Sequence, residues 1–286
     1  MARALHWCLK IGDRVRSIQF YRDILGMTVL RHEEFDEGCK ATCNGPYQNA
    51  WSKTMIGYGP ESDNFIFELT YNYPIPSYGI GNDLRKIVIE STRALEGVKK
   101  EFNLIGDEVD VKDPDGYPLV IRKGNDLVTQ VSISVNNLTK SIDYWSGLLG
   151  LNIYSQSNDE VTLGYADDQC KLNLVGIESQ VDHATGWGRM AFGVPSPRLL
   201  EINESVKNRG LKILHDLITL STPGKSDVHV LILLDPDNYE ICFVGAENFA
   251  ELAAVDPDAE KLLNQAMADE SAVWKKRGGR DGRKEE

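Results

Sequence analysis

The first residues of the chain alternate between apolar and polar side chains, and an amphipathic helix follows them. The alternation in residues 4–11 predicts a strand with two unlike faces, Leu5, Trp7 and Leu9 on one and His6, Cys8 and Lys10 on the other. Asp13 can then cap a helix that extends to about Leu25, where Gly26 ends it. Further strands near residues 27–34, 51–58 and 64–72 complete one predicted βαβββ module.

Three more modules follow the first in the same order of elements. They cover about residues 84–123, 127–176 and 187–245, the first of them being the shortest, and a helical pattern at 247–268 comes after them. Strands of this kind bury one apolar face beneath helices, which indicates an α+β fold. Their polar faces can then curl around a polar cup.

The chain also repeats itself in sequence. The stretch SIQFYRDILGMTVL (17–30) returns as SIDYWSGLLGLNIY (141–154), and the turn DPDGY (113–117) returns as DPDNY (235–239) at nearly the same spacing. Such self-similarity is typical of a duplicated domain. We therefore expect domains at 4–125 and 126–246, followed by a C-terminal helical segment and a basic tail at 247–286.

Composition limits the partners and the compartment. The chain has 286 residues and a net charge of −12, and an acidic protein of this kind repels nucleic acid. No apolar run approaches membrane-spanning length and no signal-peptide pattern precedes the first strand, so we expect no membrane partner and a cytoplasmic location, with mitochondrial association left open. The basic tail (residues 274–284) could be a contact arm, although its composition favours a disordered terminus.

The cysteines point to a reducing compartment. There are five, an odd number without a repeating spacing, which favours reduced thiols. Cys39 and Cys43 could form a metal pair, but such a pair in a loop-like stretch is more often two free thiols. Cys8 and Cys170 lie in predicted strands and are expected in the core or lining a cup.

Chemistry is indicated by two residues of the first module. His6 belongs to the polar face of the first strand, and Glu68 shares a face of the fourth with Thr70 and Asn72. An imidazole and a carboxylate on adjacent inward faces suit a divalent metal. A single histidine in a strand is, however, more often a hydrogen-bonded structural residue.

A family resemblance makes this site more specific. The stretch LHWCLKIGDRVRSIQFYRDILGMTVLRHEE (5–34), with GYGPES (57–62) and FELTYNY (67–73), closely resembles glyoxalase I, the lactoylglutathione lyase branch of the vicinal oxygen chelate superfamily. DQCKLNLVG (168–176) and STPGK (221–225) extend the resemblance, which covers residues 4 to about 268. It implies tandem glyoxalase-like domains of βαβββ modules, four in all, which pair to form two cup-shaped sheets.

The resemblance also implies a reaction and its residues. Members isomerise the hemithioacetal of methylglyoxal and glutathione, with Zn²⁺ or Ni²⁺ polarising the substrate oxygens and a ligand carboxylate moving the proton. Carried over position by position, His6 and Glu68 become metal ligands, Glu68 becomes the catalytic base, and Lys10 and Asn72 bind the glutathione moiety. In the third module Gln130 is a further metal candidate. The expected partner is a small-molecule substrate, and the chain could be a monomer or a homodimer.

The implied ligand set is nevertheless incomplete. Each cup takes four ligands, one from the first and one from the last strand of each paired module. The remaining ligand positions are occupied by Lys86 and Val120 in module two, by Asn173 beside Gln130 in module three, and by Arg189 and Cys242 in module four. Whether module one pairs with module two or with module four, a cation therefore stands where a ligand is expected.

Two hypotheses remain open at this point. In the first, the chain is a glyoxalase-type lyase, with a metal held by His6 and Glu68 and the missing coordination supplied by water or the Cys242 thiolate, or with Lys86 or Arg189 stabilising the enediolate instead. In the second, it is a catalytically degenerate binding or scaffold protein. Glu68 then forms a salt bridge with one of those two cations, and His6 is a satisfied polar residue.

Overall fold

The structure is a computed structural model that describes residues 2–220 and 227–270. The STPGK segment and the basic tail of residues 274–284 lie outside the described residues. Within them the chain forms the mixed α+β architecture that the sequence predicts, with two sheets of eight and seven strands.

The amino-terminal half of the chain forms modules one and two. Module one comprises β1 (Arg3–Ile11), α1 (Arg14–Ile18) continued by a π-helical turn (Gln19–Ile24), β2 (Thr28–Phe35), β3 (Trp51–Gly57) and β4 (Ile66–Asn72). Module two comprises β5 (Leu84–Ser91), α2 (Thr92–Phe102), β6 (Glu108–Lys112) and β7 (Pro118–Arg122). The side chains of Asp13 and Ser91 cap α1 and α2 by accepting hydrogen bonds from backbone N–H groups of the first turn.

The carboxyl-terminal half forms modules three and four. Module three comprises β8 (Asn125–Val135), α3 (Leu138–Ile142) continued by a π-helical turn (Asp143–Leu148), β9 (Asn152–Gln156), β10 (Glu160–Gly164) and β11 (Lys171–Gly176). Module four comprises β12 (Arg189–Val194), α4 (Ser196–Asn208), β13 (Ile213–Leu220), β14 (Val228–Leu234) and β15 (Glu240–Gly245). The duplication is visible in the backbone, because Gly26 and Gly150 end equivalent helices at φ of 71° and 83°.

The helical pattern at 247–268 corresponds to two helices rather than one. These are α5 (Ala246–Leu252) and α6 (Ala259–Ala268). Pro257 lies between them and disfavours helical backbone at the residue before it, so one continuous helix is excluded. The two helices pack at different places on the eight-stranded sheet, α5 on β12, β14 and β15 and α6 on β2.

Each sheet joins two modules through a central antiparallel pair of strands. Sheet one, with the order β13-β14-β15-β12-β1-β4-β3-β2, joins modules one and four through β1 and β12. Sheet two, with the order β6-β7-β5-β8-β11-β10-β9, joins modules two and three through β5 and β8. Module one therefore pairs with module four. The domain division 4–125 and 126–246 stays a prediction, and each sheet contains strands from both sides of it.

The repeated Asp-Pro-Asp turns attach neighbouring modules to each other. In the turn before β7, Asp115 accepts hydrogen bonds from the backbone N–H of Gly12, 2.6 Å away, and from Ser17 Oγ, 2.9 Å away. In the turn before β15, Asp237 accepts from the backbone N–H of Asn136 and from Ser141 Oγ in the same way. Each turn thus fastens the start of the preceding module's helix.

An apolar cluster separate from the main core covers one face of sheet one, and we call this face the cup face. Register partners share a face of a sheet, so His6 on β1, Ala191 on β12, Cys242 on β15 and Ile232 on β14 all point to this side. Helix α5 packs on it through Phe249 and Leu252. The loop between β2 and β3 adds further residues, Cys39, Ala41 and Cys43. The chain itself therefore fills much of the cup.

The cysteines correct one expectation. Cys39 and Cys43 are joined by a disulfide, with their Cα atoms 5.4 Å apart, so they are neither free thiols nor a metal pair. The four-residue separation in a tight loop brings the two side chains together, which the spacing alone did not reveal. Cys8, Cys170 and Cys242 are free. Among the described residues, no helix combines the length and the apolar composition that crossing a bilayer requires.

Candidate metal centre

Three donor groups meet on the cup face of sheet one. His6 and Cys8 are two positions apart on β1, so their side chains share a face, and Cys8 is the register partner of Glu68 on the parallel strand β4. His6 Nε2 lies 3.6 Å from Glu68 Oε2, and ligand atoms of all three residues lie within 4.8 Å of one another. All three are buried, with exposed fractions of 8%, 6% and 6%.

The ring of His6 is held from behind by a second carboxylate. Glu61 Oε1, in the loop between β3 and β4, lies 2.5 Å from His6 Nδ1, and Glu61 Oε2 accepts a hydrogen bond of 2.7 Å from Arg31. Burial alone would raise the pKa of Glu61, but the neighbouring His6 and Arg31 outweigh it and lower that pKa. An ionised carboxylate only accepts, so Nδ1 carries the hydrogen and Nε2 is free to bind a metal.

Arg189 occupies the position where a metal ligand was expected, but it is bound elsewhere. Its guanidinium forms an ion pair with Glu240, the register partner of Arg189 on β15, and donates hydrogen bonds to the carbonyl oxygens of Ala41 and Thr42. The predicted salt bridge between Arg189 and Glu68 is therefore wrong. Because Glu240 neutralises the guanidinium, its charge opposes a nearby metal ion less than the sequence suggested.

The two free thiols of the cup differ in their surroundings. Burial raises the pKa of Cys8 well above 9, and the Glu68 carboxylate raises that pKa further. Burial also raises the pKa of Cys242, to about 12, partly offset by Arg189. Of the two, Cys8 joins His6 and Glu68 in the donor group.

The two predicted substrate-binding residues lie in the same region and have partners within the protein. Lys10 Nζ donates to the carbonyl oxygen of Trp187 at 2.5 Å and lies 3.9 Å from the centre of that indole ring, and burial lowers the pKa of Lys10 to about 8. Asn72 donates to the carbonyl oxygen of Asn44 and to Tyr78 Oη, and accepts from the Asn44 amide. Their role in binding glutathione stays a prediction.

The remaining predicted positions belong to sheet two. Gln130 on β8 donates to Ser132 Oγ at 2.9 Å, and Asn173 on β11 donates to the carbonyl oxygen of Val161. Lys86 is exposed on β5, so the alternative salt bridge between Lys86 and Glu68 is wrong, because the two residues are on different sheets. The role of Gln130 as a metal ligand stays a prediction for the second cup.

Three residues of the centre are not predicted as site residues by the sequence. Cys8 was interpreted only as a core or cup-lining residue, although its place two positions after His6 already put it on the same face. Glu61 belongs to the GYGPES stretch that carried part of the resemblance, but a loop residue has no periodicity to indicate where it points. Arg31 follows a register irregularity between β2 and β3, which hides its orientation from the alternating pattern.

Comparisons with known proteins give the family context. Residues 3–110 match the model of the glyoxalase/bleomycin resistance protein/dioxygenase superfamily, and residues 137–252 match that of the glyoxalase domain-containing protein 4-like C-terminal domain. Glyoxalase domain-containing protein 4 of Rattus norvegicus is 47% identical over 95% of each chain, and glyoxalase 1 of Caenorhabditis elegans is 45% identical over 96% of this chain and 99% of its own. Crystalline glyoxalase I of Zea mays shares the fold, with a TM-score of 0.70 at 22% identity over 88% of this chain and 95% of that one.

Proposed function

This chain belongs to the glyoxalase domain-containing protein 4 family of the glyoxalase superfamily, and we propose that it isomerises the hemithioacetal formed by methylglyoxal and glutathione. The observation that carries the proposal is the buried meeting of His6 Nε2, Glu68 Oε2 and Cys8 on the cup face. Relatives that align over nearly the whole chain bear the name glyoxalase 1, which supports the same class of substrate.

We assign the metal to His6, Cys8 and Glu68. Nitrogen, sulfur and oxygen donors at these distances fit Zn²⁺, and three protein ligands with one open position are the arrangement of catalytic zinc sites. In this assignment Cys8 takes the place of a ligand that Arg189 cannot provide. Bound Zn²⁺ or Ni²⁺ supplies Lewis acidity, which polarises the two substrate oxygens and acidifies the neighbouring carbon.

The residues of the chain then supply the proton transfer. Glu68 would remove the proton from the carbon that carries sulfur and hydroxyl and return it to the adjacent carbonyl carbon. The hydroxyl proton passes to the former carbonyl oxygen, so that the thiohemiacetal becomes a hydroxy thioester with no change in atom count. Lys10 and Asn72 share the cup face with Glu68 and would exchange their present partners within the protein for the glutathione carboxylate and amide groups. The near-complete burial of the donors excludes water from the reacting carbons.

The test combines metal analysis with activity. The full-length protein is purified, and its bound Zn, Ni and Fe are quantified. Turnover of methylglyoxal is then measured with glutathione, which forms the hemithioacetal, and without it. Glu68→Gln should lower kcat about 10²-fold or more, the usual contribution of a general base. Glu34→Gln, which alters another partly buried ion-paired carboxylate of sheet one outside the centre, should keep most of the activity. Glutathione-dependent turnover that is equal in Glu68→Gln and in the unaltered protein would disprove the proposal.

One observation favours binding without catalysis as a second candidate. Phe249 and Leu252 of α5 pack on the cup face, and His6, Cys8 and Glu68 are all buried, which leaves little of the donor group accessible to a substrate. A degenerate protein would bind the hemithioacetal or its thioester product without converting it. Calorimetric binding of S-lactoylglutathione together with absent turnover in the metal-loaded protein would select this candidate.

A further inference from the structure

A continuous series of buried polar contacts connects the candidate metal centre to helix α5. Glu68 lies against His6 Nε2, Glu61 binds His6 Nδ1, and Arg31 binds the other oxygen of Glu61. The same guanidinium donates a 2.5 Å hydrogen bond to the carbonyl oxygen of Leu252, the last residue of α5. The contacts from His6 to Glu61, from Glu61 to Arg31 and from Arg31 to Leu252 are short hydrogen bonds, whereas Glu68 lies 3.6 Å from His6 Nε2.

Helix α5 also covers part of the cup face. Its Phe249 ring centre lies 5.9 Å from the Arg31 guanidinium, and Phe249 and Leu252 pack among apolar residues of β12, β14 and β15. A cavity of about 280 Å³ opens beside the helix, and Glu61, Phe249 and Ala253 are among the residues that line it. Displacement of α5 would therefore open the cup next to the carboxylate that holds His6.

A second triad of the same composition provides an internal comparison. Arg14 binds Glu34, Glu34 lies 3.1 Å from His32 Nε2, and Arg14 donates to the carbonyl oxygen of Ala266 in α6. In this triad the other ring nitrogen of the histidine bonds to Thr54 Oγ1 at 2.9 Å. Both triads fasten a C-terminal helix, but only the triad of Arg31, Glu61 and His6 leads to the donor group. The attachment of a C-terminal helix therefore does not by itself explain why Glu61 contacts His6.

We propose that Glu61 and Arg31 are positioning residues that fix the ring of His6 for the metal and couple occupation of the centre to the docked position of α5, which acts as a lid. The proposal rests on the metal centre proposed above. A cation on Nε2 makes the Nδ1–H a stronger donor, which tightens its bond to the Glu61 carboxylate and, through Glu61, the hold of Arg31 on Leu252. By reciprocity, docking of α5 raises the metal affinity by the same factor.

The first measurement is the Zn²⁺ affinity of the full-length protein, determined by competition with a chelator. Loss of the carboxylate behind a ligating histidine typically weakens metal binding 10–100-fold, and we expect a decrease of that size for Glu61→Gln. Glu34→Gln is the matched control and should leave the affinity within about 2-fold, because its triad ends at Thr54. Circular dichroism and urea unfolding establish that each variant is folded, and Arg31→Lys, which keeps the charge but loses the forked geometry, serves as a second variant.

The second measurement is hydrogen exchange in residues 246–252 with and without Zn²⁺. We expect Zn²⁺ to slow exchange there in the unaltered protein and in Glu34→Gln, and to have no such effect in Glu61→Gln or Arg31→Lys. Equal Zn²⁺ affinity of Glu61→Gln and the unaltered protein would overturn the positioning role while leaving the metal centre standing. Exchange in α5 that does not respond to Zn²⁺ in the unaltered protein would overturn the coupling, and an unaltered protein that binds no Zn²⁺ would overturn both this inference and the metal centre.

Discussion

At the scale of single residues, two buried thiols on one face offer a direct test of which one belongs to the metal centre. Cys8 lies within ligand distance of His6 and Glu68, whereas Cys242 lies two strands away on β15. In the Co²⁺-loaded protein a thiolate ligand gives a near-ultraviolet charge-transfer band, so Cys8→Ser should abolish that band and weaken metal binding. Cys242→Ser is the matched control and should retain the charge-transfer band and the metal affinity. A band that survives Cys8→Ser would remove Cys8 from the ligand set.

Period-two alternation and the family resemblance were sufficient to predict that His6 and Glu68 meet on one face, because both residues lie in regular strands, and their role as metal ligands stays a prediction. The same signals could not show the partner of Arg189. That partner, Glu240, is 51 positions later in the chain and becomes adjacent only through the register of β12 and β15. Glu61 presents the same difficulty in a loop, where no periodic pattern fixes the direction of a side chain.

At the scale of elements, the Asp-Pro-Asp turns predict a pH dependence. Burial raises the pKa of Asp113 to about 7, above its value in the unfolded chain, so its stabilisation is complete below about pH 4 and is lost as the pH rises through 7. Asp113→Asn should reduce the slope of stability against pH, on the order of 1 kcal/mol per pH unit, because the new amide does not titrate. The variant should remain folded, because Tyr21 Oη can turn and accept from that amide. The free energies of unfolding in urea at pH 5 and at pH 8 give this slope for the variant and for the unaltered protein.

Asp235 is the equivalent residue of the second repeat and gives the contrasting variant. Burial raises its pKa to about 7 as well, but its partner is the indole N–H of Trp145, which only donates. Asp235→Asn, if its amide nitrogen faces Trp145, should therefore destabilise the protein at both pH values. An unchanged pH slope in Asp113→Asn would contradict the assigned pKa of Asp113.

Where the alternating pattern gave strand bounds, in modules one and three, they differ from those of the structure by at most two residues. Elsewhere the pattern was less informative. Strand β6 (Glu108–Lys112) was missed, because its two valines stand among charged residues at the edge of sheet two. The pattern at 247–268 kept its helical period across Pro257, so local periodicity concealed the break between α5 and α6.

At the scale of the whole molecule, the pairing of modules was beyond the sequence. Duplicated modules have nearly the same apolar faces, so module one could pair with either module two or module four on pattern alone. Pairing is decided by contacts between the central strands, such as Trp7 with Met190 and Cys8 with Arg189 across β1 and β12. This choice determines which residues surround the donor group, and therefore that the cation opposite Cys8 is Arg189 with its partner Glu240.

The same pairing makes the two cups chemically unequal, which predicts one metal ion per chain. The ligand positions of sheet two hold Lys86, Val120, Gln130 and Asn173, a set without imidazole, thiol or carboxylate. Zn²⁺ loading followed by elemental analysis should therefore give one equivalent, retained in Gln130→Ala and lost in the double variant His6→Ala with Glu68→Gln. A second equivalent that disappears in Gln130→Ala would instead establish Gln130 as a ligand and both cups as metal sites.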